Sequence, residues 1–138
     1  MNNPCPVCGN KLKKYSIKYC SNRCQRDHEY EEYILRWKNG LLNGSRGILA
    51  KSISGYIKRY LFEKFGTKCS ICGWNQKNPK TGKVPLEIDH INGNSEDNSE
   101  ENLRVICPNC HSLSPSYRNL NRGHGRQWRT NKYLKNRA

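Results

Sequence analysis

The spacing of apolar residues predicts an amphipathic helix early in the chain. Between Asn22 and Lys38 four large apolar side chains recur at intervals of three and four residues: Tyr30, Tyr33, Ile34 and Trp37. This period places them on one face of a helix. Asn39-Gly40 follows as a stop signal. We therefore predict a helix from about Asn22 to Lys38 whose apolar stripe serves packing.

A second apolar stripe predicts another helix from about Ser52 to the residue before Gly66. Its apolar members share one face at helical spacing: Ile53, Tyr56, Ile57, Tyr60, Leu61 and Phe65. The remaining surface is basic and includes Lys51, Lys58, Arg59 and Lys64. Asn43-Gly44 and Gly47 precede this helix and are typical of a linker.

The second half of the chain has short alternating segments rather than long stripes. Residues 84–88 alternate as a strand should, and residues 105–106 read as a second short strand. Between them lies a loop in which Ser99 is expected to cap a single turn over residues 100–103. A helix is expected to start at residues 107–111. This order predicts a small α+β fold with two strands and a helix.

Composition limits how this fold is stabilised. The chain has 138 residues, of which 34% are hydrophobic, and its mean hydropathy is −1.00. A large buried core is therefore not expected, and metal ligation is the expected supplement. The first ten residues form no apolar signal-peptide core, and no stretch is long enough to span a membrane. These features favour a reducing cytoplasm.

Eight cysteines are arranged as pairs with metal-ligand spacing. Four disulfides in a secreted scaffold are the alternative, but the missing signal sequence and the Cys-x-x-Cys pairs favour metal-bound thiolates. Each set of four thiolates would close a tetrahedral, structural zinc site with no open position for water. The first set predicts a zinc ribbon, and the sets are Cys5, Cys8, Cys20 and Cys24, then Cys69, Cys72, Cys107 and Cys110.

The charge balance indicates a nucleic-acid partner. The formal net charge is +14, and two zinc ions bound by eight thiolates would leave about +10. Residues 118–138 contain no Asp or Glu, and we expect a flexible basic tail that contacts DNA. A membrane-surface role would need a broad apolar face beside the basic one, which is only weakly present. The predicted DNA-binding residues are Lys58, Arg59, Arg118, Arg122, Arg126 and Arg129.

Four polar residues form a candidate hydrolytic centre. Asp89 and His90 end the first predicted strand, Asn102 follows in an acidic loop, and His111 comes directly after Cys110. A zinc staple through Cys110 would fix His111 beside the strand end. Phosphodiester hydrolysis needs a base to activate water and charge stabilisation at the phosphate, which a His and a divalent ion supply. This arrangement is what a one-metal nuclease requires.

Residues from about Phe65 to Asn119 resemble the HNH endonuclease family, of the ββα-metal (His-Me finger) fold, in its zinc-stapled phage and bacterial type. The resemblance rests on Cys69-Ser-Ile-Cys72-Gly-Trp, Leu86-Glu-Ile-Asp89-His90-Ile, Asn98-Ser-Glu-Glu-Asn102-Leu and Val105-Ile-Cys107-Pro-Asn-Cys110-His111-Ser. It implies a metal-dependent DNA endonuclease, of nicking or homing type, that leaves 3'-hydroxyl and 5'-phosphate ends.

The resemblance also implies a role for each candidate residue. His90 would be the general base, Asp89 and His111 would hold a catalytic Mg²⁺ or Mn²⁺, and Asn102 would hold the loop that orients His90. The partner would be double-stranded DNA, bound by a monomer or homodimer, with no protein partner evident. The main alternative is a catalytically inactive, zinc-stabilised DNA-binding protein, and a third interpretation is an RNA-directed nuclease or binder.

Four segments follow from these expectations. Residues 1–40 would form the N-terminal zinc ribbon and helix, and residues 41–66 the linker and basic amphipathic helix. Residues 67–119 would form the HNH nuclease domain, and residues 120–138 the basic C-terminal tail.

Overall fold

The computed structural model describes residues 3–47 and 52–121. The chain divides into two compact units, Met1–Leu42 and Asn43–Ala138. Within the described ranges, no helix combines the length and the apolar character needed to cross a membrane. Lys51 of the predicted basic surface and the tail residues Arg122, Arg126 and Arg129 lie outside these ranges.

The first unit is a small turn followed by the helix α1 (Asn22–Lys38). An antiparallel bridge joins Pro4 to Lys11, and the Cys5 amide donates to the Asn10 carbonyl at 2.9 Å. α1 begins after Ser21, whose hydroxyl oxygen accepts from the Cys24 amide. Its buried side chains are Tyr30, Ile34 and Trp37. The predicted bounds of this helix are confirmed, and three members of its predicted stripe are buried while Tyr33 is half-buried.

The helix α2 (Gly55–Phe65) begins three residues later than predicted. The segment before it is extended, because Ile53 forms an antiparallel bridge with Ser45 and the Ser54 amide donates to the Gly44 carbonyl. Ser54 then caps the helix by accepting from the Tyr56 amide. Ile53 is therefore not part of the helical stripe. Ile57 and Leu61 are fully buried, as that stripe predicts.

Two short strands pair antiparallel: β1 (Glu87–His90) and β2 (Leu103–Ile106). The prediction of a first strand over residues 84–88 was wrong by about three residues. Pro85 has no amide hydrogen for a ladder, and the Leu86 amide donates back to the Val84 carbonyl instead. The second strand is longer than the predicted 105–106. In the observed register Asp89 lies opposite Arg104.

A short helix completes the ββα arrangement. α3 (Pro108–Ser112) contacts β1, and α2 packs against β2. A 3₁₀ turn over Glu100–Asn102 leads into β2, and another covers Arg118–Asn121. Ser99 stands at the start of the first turn, but its side chain does not cap it: the hydroxyl donates to Asp97. The small α+β fold with a two-stranded sheet is confirmed.

Candidate functional site

The four cysteines of the second unit form one cluster. Their sulfur atoms lie within 4.8 Å of one another, and the sulfurs of Cys72 and Cys107 are 3.8 Å apart. A tetrahedral zinc with Zn–S bonds of about 2.3 Å places its sulfurs about 3.8 Å apart, so the spacing fits that ion. Cys69 and Cys107 are buried with Ile106, and Trp74, Leu86 and Cys110 pack against them. This cysteine cluster therefore shares its surroundings with the buried residues of β2.

The cysteines of the first unit form a second cluster with the same fit. Their sulfur atoms also lie within 4.8 Å of one another. The Cys20 sulfur is 3.3 Å from that of Cys8 and 3.5 Å from that of Cys24. Both four-cysteine sets predicted from the sequence are thus assembled: the first fits a zinc ribbon, and the second lies in the ββα arrangement.

The thiols within each cluster differ in their pKa values. The Cys20 amide leads the hydrogen bonds that lower the pKa of Cys5 to about 6, against the effect of burial. At Cys69 burial opposes ionisation, yet backbone amides, with Cys72 first, bring the pKa to about 6. Conversely, neighbouring thiols, led by Cys8, raise the pKa of Cys20 to about 12. Four thiolates at these distances repel one another, and a divalent cation removes that cost.

Helix α3 links the cysteine cluster of the second unit to His111. Cys107 is the N-cap of this helix, and its sulfur accepts from the Cys110 amide at 3.4 Å. One turn later the His111 amide donates to the Cys107 carbonyl at 2.9 Å. A member of this cysteine cluster therefore begins the helix that presents His111. Its ring also contacts Tyr117 edge-on, with centroids 5.1 Å apart.

Asp89 and His111 face each other across a gap. The distance from Asp89 Oδ1 to His111 Nε2 is 3.9 Å. The outer atom of each group has its own partner: Asp89 Oδ2 accepts from Arg104 at 2.8 Å, and His111 Nδ1 contacts the Glu87 carboxylate. Asp89 is only 5% exposed, so the Arg104 pair also offsets the cost of burying a carboxylate. One oxygen and one nitrogen donor thus converge, each held from behind.

His90 lies in a different set of contacts. Its Nε2 atom is 2.7 Å from Oδ1 of Asn98, which is buried. The nearby Asp97 carboxylate accepts from the Ser99 hydroxyl and amide. The Ser99 hydroxyl is the largest cause of the lowered Asp97 pKa. His90 is therefore held by the loop between the strands.

Asn102 closes that loop. Its side-chain oxygen accepts from the Asn92 amide at 2.9 Å, while its Nδ2 donates to Asn92 Oδ1 at 2.9 Å and to the Asp97 carbonyl at 2.8 Å. Asn102 is 7% exposed. The preceding Glu100 accepts from Tyr60 at 2.6 Å and Lys64 at 3.1 Å, which ties this turn to α2. Asn102 therefore contacts the loop rather than the imidazole.

The described basic candidates differ in their surroundings. Lys58 lies on the exposed side of α2, and Arg59 beside it pairs with Glu63 at 2.9 Å. Arg118 lies with its guanidinium 4.9 Å from the centre of the Tyr117 ring, the same ring that contacts His111. Among the described basic candidates, Arg118 is thus the one connected to His111 through a shared contact with Tyr117.

Three residues that contact Asp89, His90 or His111 were not among the predicted site residues: Glu87, Arg104 and Asn98. Glu87 is two positions before Asp89, and strand alternation places both on one face. That alternation is a signal that sequence reasoning could have used, given the correct strand. Predicting the Arg104 contact would have required the strand register, and predicting the Asn98 contact would have required the path of the loop between the strands.

Comparisons with known proteins agree with this geometry. Residues 69–114 match the family described as HNH endonuclease. The chain is 30% identical over 115 residues to the H-N-H endonuclease F-TflIV of Escherichia phage T5, covering 81% of this chain and 45% of that protein. It is 26% identical over 125 residues to the Zorya protein ZorE of Escherichia coli, covering 83% of this chain and 33% of that protein.

The chain thus spans less than half the length of either relative. No solved structure matches it. The matched segment contains the second cysteine cluster, both strands, α3 and all four candidate site residues. Residues 69–114 of this chain are therefore a domain of the HNH endonuclease family.

Proposed function

We propose that this protein is a metal-dependent DNA endonuclease that hydrolyses phosphodiester bonds. The observation that supports it best is the pair of donor atoms on Asp89 and His111, 3.9 Å apart, with Arg104 and Glu87 behind them. Such outer contacts orient metal ligands and fix which ring nitrogen faces the ion. A domain that only bound DNA would not need this arrangement.

The donor set fits a small divalent ion. At metal–ligand distances of about 2.1 Å, two ligands in adjacent positions of an octahedral ion lie about 3 Å apart, so the 3.9 Å pair would move closer together to hold one ion. One carboxylate oxygen and one imidazole nitrogen are compatible with Mg²⁺ or Mn²⁺, with the remaining positions left to water and phosphate. When bound, the ion supplies a positive charge for the phosphate oxygens in the transition state.

In this proposal His90 is the general base. An imidazole is suited to accept a proton from water near neutral pH. Asn102 holds the loop that carries Asn98, and through it the orientation of His90. Attack on the phosphorus with departure of the 3' oxygen gives 3'-hydroxyl and 5'-phosphate ends. The two four-cysteine zinc sites hold the scaffold and take no part in proton transfer.

The proposed partner is double-stranded DNA. Arg118 would meet phosphate near the site, because it stacks on the Tyr117 ring that contacts His111. Lys58 and Arg59 on α2, and Arg122, Arg126 and Arg129 of the predicted tail, would extend the contact. A monomer with one such centre would nick one strand, and a homodimer would cut both. Thiolate-bound zinc suits a reducing cytoplasm, of a bacterium or a phage-infected cell.

The first experiment follows supercoiled plasmid incubated with the zinc-loaded protein. We expect nicked circles in Mg²⁺ or Mn²⁺ and none when the added divalent ion is left out. DNA ligase should reseal the nicks, because it requires adjacent 3'-hydroxyl and 5'-phosphate ends. Nicks that ligase cannot reseal would refute the proposed end chemistry.

The same plasmid assay separates the second candidate function. A catalytically inactive, zinc-stabilised DNA-binding protein would shift the plasmid on a gel without nicking it in either metal. The basic composition and the first cysteine cluster are compatible with such a binder. Binding without cleavage under all metal conditions would replace the endonuclease proposal.

A further inference from the structure

Asn98 connects the His90 ring to a distant part of the same unit. Its Oδ1 is 2.7 Å from His90 Nε2, and its Nδ2 donates to the Asn43 carbonyl at 3.2 Å. Only 4% of the residue is exposed. Asn43 lies 55 residues earlier, before the bridge that precedes α2. A buried amide with both ends engaged has little freedom to rotate.

The contact with Asn43 decides which way the amide points. A backbone carbonyl only accepts hydrogen bonds, so the amide group of Asn98 that faces it must be the NH₂ group. The other end, which faces His90, is therefore the oxygen. An amide oxygen also only accepts, so the hydrogen of that bond must come from His90 Nε2.

We infer that Asn98 is a positioning residue that holds neutral His90 as the Nε2–H tautomer and leaves Nδ1 as its proton acceptor. In a neutral imidazole one nitrogen donates and the other accepts, so a partner at one nitrogen selects the role of the other. This inference deepens the proposed function, on which it rests: it names the atom of His90 that takes the proton from water.

The expected effect is on the rate of the chemical step rather than on DNA affinity. Asn98 is buried behind the imidazole and is not part of the basic surface. Loss of the acceptor would allow both tautomers and a wider range of ring orientations. We expect the single-turnover nicking rate of Asn98→Ala to fall about 10- to 100-fold, since a misoriented or wrongly protonated base costs at least this much. The DNA dissociation constant should stay within about twofold.

The direct test observes the tautomer by NMR. Long-range ¹H–¹⁵N spectra of the zinc-loaded full chain distinguish Nε2–H from Nδ1–H, and a His90→Gln sample assigns the His90 signals. The wild type should show neutral His90 as Nε2–H. Asn98→Ala should show a mixture of tautomers. Asn98→Asp keeps an acceptor for His90 Nε2 but loses the donor to the Asn43 carbonyl, so it should keep the Nε2–H form and recover only part of the nicking rate.

Asn94→Ala is the matched control. Asn94 is an exposed residue of the same loop, and its side chain accepts from the Glu96 amide at 3.0 Å. Tautomer and rate should be unchanged in this variant. An Nδ1–H signal in the wild type, or an unchanged Nε2–H signal in Asn98→Ala, would overturn the inference even if the protein nicks DNA. An Nε2–H wild type that fails to nick would support the positioning and refute the proposed function.

Discussion

Replacing Asn102 with Asp tests how strongly the loop between the strands depends on one amide. The substitution keeps the shape of the side chain and the oxygen that accepts from the Asn92 amide. It removes the NH₂ group, which donates to Asn92 Oδ1 and to the Asp97 carbonyl. A carboxylate oxygen would then face two other oxygen atoms at hydrogen-bonding distance.

The size of the effect follows from these contacts. Each lost hydrogen bond contributes about 1 kcal/mol, and a buried acceptor left without a donor costs a further 1 kcal/mol or more. Asn102 is 7% exposed, so water replaces the lost donors poorly. Asn92 Oδ1 still accepts from the Asn94 amide, which limits the penalty there. We therefore expect the free energy of unfolding to fall by about 2–3 kcal/mol.

Urea denaturation of the zinc-loaded chain at pH 7 measures this change. Asn78→Asp is the matched control. The exposed Asn78 accepts hydrogen bonds from the Lys80 and Thr81 amides through Oδ1, and Asp keeps that oxygen. The control should change stability by no more than about 0.5 kcal/mol. If Asn102→Asp loses no more stability than the control does, the claim that the Asn102 amide holds the loop between the strands is refuted.

Three further predictions concern packing and metals. Gly93→Ala should lower the free energy of unfolding by about 1–3 kcal/mol more than Gly82→Ala does. Both glycines have positive φ, but only a Cβ at Gly93 would meet other side chains, those of Asn121 and Ser116 at 2.7 and 2.8 Å. Equal losses of stability in thermal unfolding would contradict this contact. Metal analysis should find two zinc ions per chain, and Cys8→Ser and Cys72→Ser should each lower that number to about one; a chain without zinc would exclude both sites. Glu87→Gln should raise the Mg²⁺ concentration needed for half-maximal nicking about 10- to 100-fold, because the Glu87 carboxylate contacts the His111 ring. Glu101→Gln, at an exposed position, is the control. An unchanged Mg²⁺ requirement in Glu87→Gln would show that Glu87 does not orient His111.

Local signals were sufficient for much of this fold. The α1 stripe and its stop residues predicted the observed bounds, because helix periodicity and capping depend on neighbours in sequence. Cysteine spacing likewise predicted both clusters. The first strand was predicted too early because the alternation over residues 84–88 includes Pro85, which has no amide hydrogen for strand pairing. The start of α2 was displaced because Ile53 pairs with Ser45, a contact that helix periodicity does not encode.

The candidate site was predictable in part for the same physical reason. Asp89, His90, Asn102 and His111 stand beside recognisable strand and cysteine signals. Their supporting partners depend on tertiary placement: Arg104 on strand register, and Asn98 on a loop that reaches back to Asn43. Short strands of four residues leave several registers open, so such partners emerge only from the folded arrangement.

The most direct test of the hydrolytic role is the single-turnover nicking rate of His90→Ala at saturating DNA and Mg²⁺. His28→Ala is the control, since His28 lies on α1 with its ring 5.5 Å from that of Tyr19 and outside the matched domain. With zinc content and DNA affinity unchanged, His90→Ala should lose nicking by about 10²-fold or more, as expected for a general base, while His28→Ala nicks at the wild-type rate. Nicking by His90→Ala at the wild-type rate would contradict the role assigned to this histidine.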